Sequence, residues 1–186
     1  MSEKTFSLEE LDNLRESQDA DFKYTLSDVI LFLLYAEKDY PIKGKIKQMK
    51  EVFLTLQQVF KNENVQPVFF RKYRFGPYSE EVENTIDQLA FLNLISLRGK
   101  KTSNNFAIEI NDKGQKLIHE EFVKLPENIR NLLQAKRLSW DTHIPQGMLK
   151  LVYRDYEHFL ENSVFKQRYQ TLDWNDETQR PLEYDS

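Results

Sequence analysis

One stretch constrains the fold of this chain more than any other: Phe69-Phe-Arg-Lys-Tyr-Arg-Phe-Gly-Pro-Tyr-Ser79. Its aromatics and cations read as a strand, followed by a sharp turn at Gly76-Pro77, since Gly tolerates positive φ and Pro fixes its own. Ser79 stands where a helix cap is needed, and Glu80 and Glu81 fall in the first turn, where carboxylates are favoured. Gly76, Pro77, Tyr78 and Ser79 therefore read as a structural unit: a tight turn, an aromatic plug and a cap.

Two helices are expected before this stretch. The first runs from Ser27 to about Glu37, capped by Ser27 or Thr25. It is apolar nearly all round from Val29 to Tyr35, as befits a central core helix. The second runs from about Gly44 to Lys61, with Ile46, Met49, Val52, Phe53, Leu56, Val59 and Phe60 in one buried stripe. Lys43, Lys47 and Lys50 follow at i, i+4, i+7 and are expected to form a basic face.

After the stretch, a third helix is expected from about Glu80 to Asn93, buried along Val82, Ile86, Leu89 and Leu92. Its exposed side holds Glu80, Glu81, Glu83, Asn84, Asp87 and Gln88, with neither Lys nor Arg. Leu94–Arg98 and Phe106–Ile110 alternate apolar and polar with period two, as half-buried strands do. The polar loop Gly99–Asn105 joins them. Further helices are expected after Asn111 or Asp112, over about 126–138, and from about Gln146 to Asn162. This order predicts a mostly α fold with a small β-sheet and wing (a winged helix-turn-helix) and a C-terminal helical extension. The boundaries read as an acidic arm 1–21, a winged-helix domain 22–125, an extension 126–169 and an acidic tail 170–186.

Charge is distributed unevenly. Residues 1–21 carry a net −5 and residues 171–186 a net −4, so the segment between them is mildly basic at +5. The arms read as solvated tails; the sharper alternative is that they cover a basic face or engage a basic partner. No apolar run approaches the ~18 residues of a membrane span. The longest, Val29–Ala36, has eight. The absence of Cys excludes disulfides, thiolate metal sites and thiol catalysis. The polar, acidic N-terminal stretch is not a signal-peptide pattern, and a cytoplasmic protein is expected. His119, His143 and His158 lie far apart without metal-ligand spacing, and no Gly-rich phosphate loop is present. No catalytic residue, metal site or cofactor is expected.

Residues 24–118 resemble the YwgA-like winged-helix proteins and, more distantly, the Panacea (SocA-type antitoxin) domain. The resemblance rests on the apolar first helix, Ile46-Lys-Gln-Met-Lys-Glu-Val-Phe-Leu54, Tyr73-Arg-Phe-Gly-Pro-Tyr-Ser-Glu-Glu81, Leu89-Ala-Phe-Leu-Asn-Leu-Ile95 and Asn111-Asp-Lys-Gly114. Val152-Tyr-Arg-Asp-Tyr156 with Ser163 is similar to the C-terminal helix of such proteins. Their Tyr-Pro-Glu-Tyr-like motif is here Tyr156-Glu-His-Phe159, without the Pro. The resemblance implies a winged-helix fold and a regulatory, antitoxin-like or defence-associated role, with no known catalytic activity.

Two functions are compatible with the residues. One is binding of double-stranded DNA through a cationic patch of Lys43, Lys47, Lys50, Lys72, Arg74, Arg98, Lys100 and Lys101. Such a patch would bind by displacing counterions and would be salt-sensitive. The other is contact with a basic protein partner through the acidic third helix and the arms. The acidic third helix opposes ordinary major-groove docking, because phosphates would repel it. Asn84 and Gln88 could read adenine only if Glu83 and Asp87 point away. The aromatic C-terminal helix suits either a homodimer contact or packing on the first helix.

Overall fold

A computed structural model of the protein describes residues 22–166, apart from Asn104. The expected acidic arm 1–21 and tail 170–186 lie outside the described residues. At the centre is α1 (Leu26–Ala36), buried at every position from Val29 to Leu34. Thr25 caps it reciprocally with Asp28: Thr25 N donates to Asp28 Oδ2 at 2.8 Å, and Asp28 N donates to Thr25 Oγ1 at 3.2 Å.

A short strand the sequence pattern did not reveal, β1 (Ile42–Lys43), precedes α2 (Lys45–Leu54). Two residues are too few to show a period. The expected long second helix is interrupted: α2 gives way to a wider π-helical turn over Thr55–Val59. At that junction the Thr55 hydroxyl donates to the Glu51 carbonyl at 2.7 Å and competes for the helical acceptor.

The stretch from Phe69 to Ser79 also differs from expectation. Strand pairing is confined to β2 (Arg71–Tyr73) and β3 (Gly76–Tyr78), an antiparallel ribbon in which Lys72 faces Pro77. The reversal falls at Arg74-Phe75, so Gly76 and Pro77 lie within a strand. A two-stranded ribbon tolerates this because Pro77 has no second neighbour that needs its missing N–H.

The third helix, α3 (Glu80–Phe91), follows directly. Then come β4 (Ile95–Arg98) and β5 (Ala107–Ile110), which join β1 in an antiparallel sheet of order β1–β5–β4. Lys43, Ala107 and Arg98 form one row across it, and Ile42, Ile108 and Leu97 the next. Rows alternate between faces, so the isoleucines point inward and Lys43 and Arg98 outward.

Three more helices complete the chain: α4 (Asp112–Lys124), α5 (Glu127–Asp141) and α6 (Pro145–Asp155), with a 3-10 turn over Glu157–Leu160. Asn111 caps α4, its Oδ1 accepting from Gly114 N at 3.0 Å. Gly114 is required there, since a Cβ would stand 2.1 Å from the Leu94 carbonyl oxygen. The last helix is shorter than expected, and it packs on α2 and the ribbon rather than principally on α1. Tyr156 and Phe159 meet Phe53 edge-on, with centroids 4.9 and 5.2 Å away. One apolar core runs from Tyr24 to Leu160. The fold is thus α+β, mostly helical with a small antiparallel sheet. Among the described residues no helix is long and apolar enough to cross a membrane.

Candidate interaction surface and pocket

Three of the four carboxylates on the acidic side of α3 are matched by cations from neighbouring elements; the fourth, Glu81, accepts from the Gln66 side-chain amide at 3.3 Å. Glu80 pairs with Arg71 of β2 at 2.8 Å, and Glu83 with Lys45 of α2 at 2.8 Å. Asp87 pairs with Lys101 of the β4–β5 loop. Exposed pairs like these are each worth less than about 1 kcal/mol, so they set surface charge more than stability. With Glu83 and Asp87 turned to these partners, Asn84 and Gln88 line a separate polar groove of about 500 Å3 with Thr25, Ser27, Gln66, Thr85 and the carboxylate of Glu81.

The eight basic residues expected to form one patch are dispersed. Arg98 is paired with Glu109 at 2.6 Å, Lys72 with Glu161, and Lys101 with Asp87. Lys43, Arg74 and Lys100 are exposed, and no ion pair engages them among the described residues. Lys47 and Lys50 are buried, which corrects their reading as part of a basic helix face. Lys43 belongs to β1, not to the helix, while α5, α6 and the ribbon cover both flanks of α2. Sequence spacing says which residues share a side; it does not say that a later helix will cover that side.

On one flank of α2, Lys47 enters a buried ionic cluster. Its Nζ lies 3.5 Å from Glu51 Oε1 and 3.3 Å from Asp141 Oδ1. Arg137, wholly buried, lies 3.5 Å from Glu51 Oε2, pairs with Asp141, and donates from Nη2 to the Tyr40 carbonyl at 2.8 Å. Burial pushes the Glu51 carboxyl up against the pull of Arg137 and Lys47. For Arg137, burial opposes the charge, but Glu51 and Asp141 outweigh it and hold the guanidinium above its ordinary value. The cluster clamps α2 to α5. Lys47 was singled out from the sequence only as a surface cation, and Glu51, Arg137 and Asp141 were not singled out at all. The available signal was the pair of opposite charges at i, i+4 in each helix, Lys47 with Glu51 and Arg137 with Asp141.

On the other flank, Lys50 is only 2% exposed. Its Nζ donates to the Pro77 carbonyl at 2.7 Å. Among the described residues it is the buried cation without an ion pair. Burial accordingly pulls its pKa down to about 7. Lys50 lies in the wall of a pocket of about 240 Å3, with Ile46, Met49, Tyr73, Phe75 and Tyr78, and with the Lys45–Glu83 pair also lining it. The Tyr73 and Tyr78 rings are 5.0 Å apart.

The Gly-Pro-Tyr-Ser unit therefore builds this pocket. Gly76 sits at φ +79°, and a Cβ there would come within 3.2 Å of Tyr153 Cε1 and 3.5 Å of Lys50 Cε. Pro77 supplies the carbonyl for Lys50, and Tyr78 supplies a wall. Ser79 is the N-cap residue of α3 by position, but its side chain makes no hydrogen bond to the first turn.

The three histidines remain apart; Tyr35 Oη is 2.7 Å from His119 Nδ1. Among the described residues no group of three or more His, Cys, Asp or Glu could hold a metal ion. No protein-family model matches the chain, and no curated protein matches it either.

Proposed function

We propose that the chain is a regulatory protein of winged-helix architecture that acts through protein contact at α3, rather than by ordinary reading of DNA. The order α1–β1–α2–α3–β4–β5, with β1 on the free edge of β5, supports the winged-helix reading; the β4–β5 hairpin is then the wing. The observation that carries the functional reading is charge matching. Arg71, Lys45 and Lys101, three cations beside α3, are engaged by Glu80, Glu83 and Asp87. A duplex approaching α3 would have to break these pairs and face the released carboxylates. The same helix ends in Phe91, 90% exposed, and the exposed Leu92. An apolar tip beside a charged surface suits a protein partner with an apolar socket and a basic rim. An antitoxin-like role, as the family resemblance implies, is of this kind.

A fluorescence-anisotropy titration with a random-sequence duplex, at low and then higher salt, tests the reading. Weak binding with little salt dependence is expected. Tight binding that collapses with salt would overturn it. Nucleic-acid binding remains the second reading because of one observation: Glu83 and Asp87 are turned aside, leaving Asn84 and Gln88 over a polar groove.

A further inference from the structure

Lys50 poses a physical problem. A cation buried without a counter-charge destabilises its surroundings, and an apolar side chain of similar length would fill the site without that penalty. Lys47, one turn earlier, is buried beside two carboxylates. Lys50 has one neutral partner, the Pro77 carbonyl, for an ammonium that offers three donors. The pocket beside it is walled by three aromatic rings, Tyr73, Phe75 and Tyr78, together with the apolar side chains of Ile46 and Met49. The other charges lining that pocket, Lys45 and Glu83, already pair with each other at 2.8 Å. The missing complement is thus one negative charge on a flat apolar body.

We propose that this pocket binds a small aromatic carboxylate, its anionic group matched to Lys50 and its ring set against Tyr73, Phe75 and Tyr78. The volume of about 240 Å3 suits a ligand of one or two rings. A carboxylate beside Lys50 favours the charged amine, so binding takes up a proton wherever the free lysine is partly neutral. Lys45, Glu83, Tyr73, Tyr78 and Tyr153 are the other titratable groups around Lys50. The first two are matched to each other, and burial raises the Tyr78 and Tyr153 hydroxyls above their ordinary values. Lys50 is therefore the group that changes charge near neutrality. Binding is expected to weaken as pH rises through about 7. Between pH 6 and pH 8.5 the loss should be roughly thirtyfold at most, as the charged fraction of a group titrating near 7 falls. This inference stands apart from the proposed protein contact, since either site could fail its test without the other.

Calorimetric titration of the full chain with indole-3-acetate, with indole-3-acetamide as the uncharged control, tests it. The acid should bind at millimolar affinity or tighter, roughly what a ligand of this size allows. The amide should bind at least about tenfold more weakly, a difference of ~1.4 kcal/mol. Lys50→Met should lose the acid's advantage and its pH dependence, and Tyr73→Ala should weaken both probes. Equal binding of acid and amide, full affinity in folded Lys50→Met, or no saturable binding of indole-3-acetate, benzoate and naphthalene-2-carboxylate would each overturn the proposal. Should Lys50→Met fail to fold, the pH profile of the native chain and the Tyr73→Ala variant decide the matter.

Discussion

The two flanks of α2 handle buried positive charge in opposite ways. Towards α5, Lys47 and Arg137 meet Glu51 and Asp141, and charge is held by charge. Towards the ribbon, Lys50 meets a carbonyl and aromatic rings, and the amine is held near the point of losing its proton. Matching closes a site, because every charge already has its complement. An unmatched charge leaves a site open to something else. The α3 surface belongs largely with the first kind: Glu80, Glu83 and Asp87 each meet a cation, and on the proposed reading that pairing withholds the face from phosphate.

The largest effect should come from breaking the matched side. Arg137→Met leaves Glu51 buried beside a single lysine and should destabilise the protein by about 3–5 kcal/mol in denaturant unfolding. Adding Glu51→Met should recover much of that loss, since an apolar replacement of a buried pair is often nearly neutral. A double variant no better than the single would show that the cluster does more than balance charge.

On the unmatched side, the sign of the pH dependence is the test. Lys50 binds its proton less readily folded than unfolded, so its charging opposes folding. The penalty is complete below about pH 7 and fades as pH rises towards the ordinary lysine value. Lys50→Met should thus gain on the native chain at pH 6, by as much as about 4 kcal/mol, and keep only about 1 kcal/mol of that advantage at pH 9.5. A difference in melting temperature that stays constant with pH would contradict the lone-cation description.

Gly76→Val should cost about 1–3 kcal/mol, because the left-handed backbone and the nearby Tyr153 ring both resist a branched side chain. An unchanged melting temperature would refute that. Smallest of all, Lys101→Glu sets two like charges together at Asp87 on an exposed surface. Its cost should be under about 1 kcal/mol and should shrink with salt.

Much of the fold was legible in the sequence. The apolar first helix, the period-two strands and the stripe of α3 each declared their element and most of its buried side; the exceptions are Leu92 and Leu97, expected to be buried but exposed because each lies where its element runs out of the core. What was not legible depended on distant partners. Lys47 and Lys50 read as a solvated basic face because α2 gives no sign that α5 and the ribbon will cover it. The ribbon turn was misplaced by two residues because Gly-Pro is a strong local signal, whereas the pairing of Gly76–Tyr78 with Arg71–Tyr73 is tertiary. The pocket motif was visible as Gly76-Pro77-Tyr78, but its use was not, since the lysine it accommodates lies more than 20 residues earlier in the chain.

The most direct test of the account removes the matching on α3. In Glu80→Gln/Glu83→Gln/Asp87→Asn the three cation-paired carboxylates are gone while Arg71, Lys45, Lys101 and the half-buried Glu81 remain. If internal pairing is what withholds this face from phosphate, the native chain should bind a random duplex weakly, with little salt dependence. The triple variant should then bind more tightly at low salt and lose that gain as salt rises. Steeply salt-dependent binding by the native chain, or no difference between the two proteins, would contradict it.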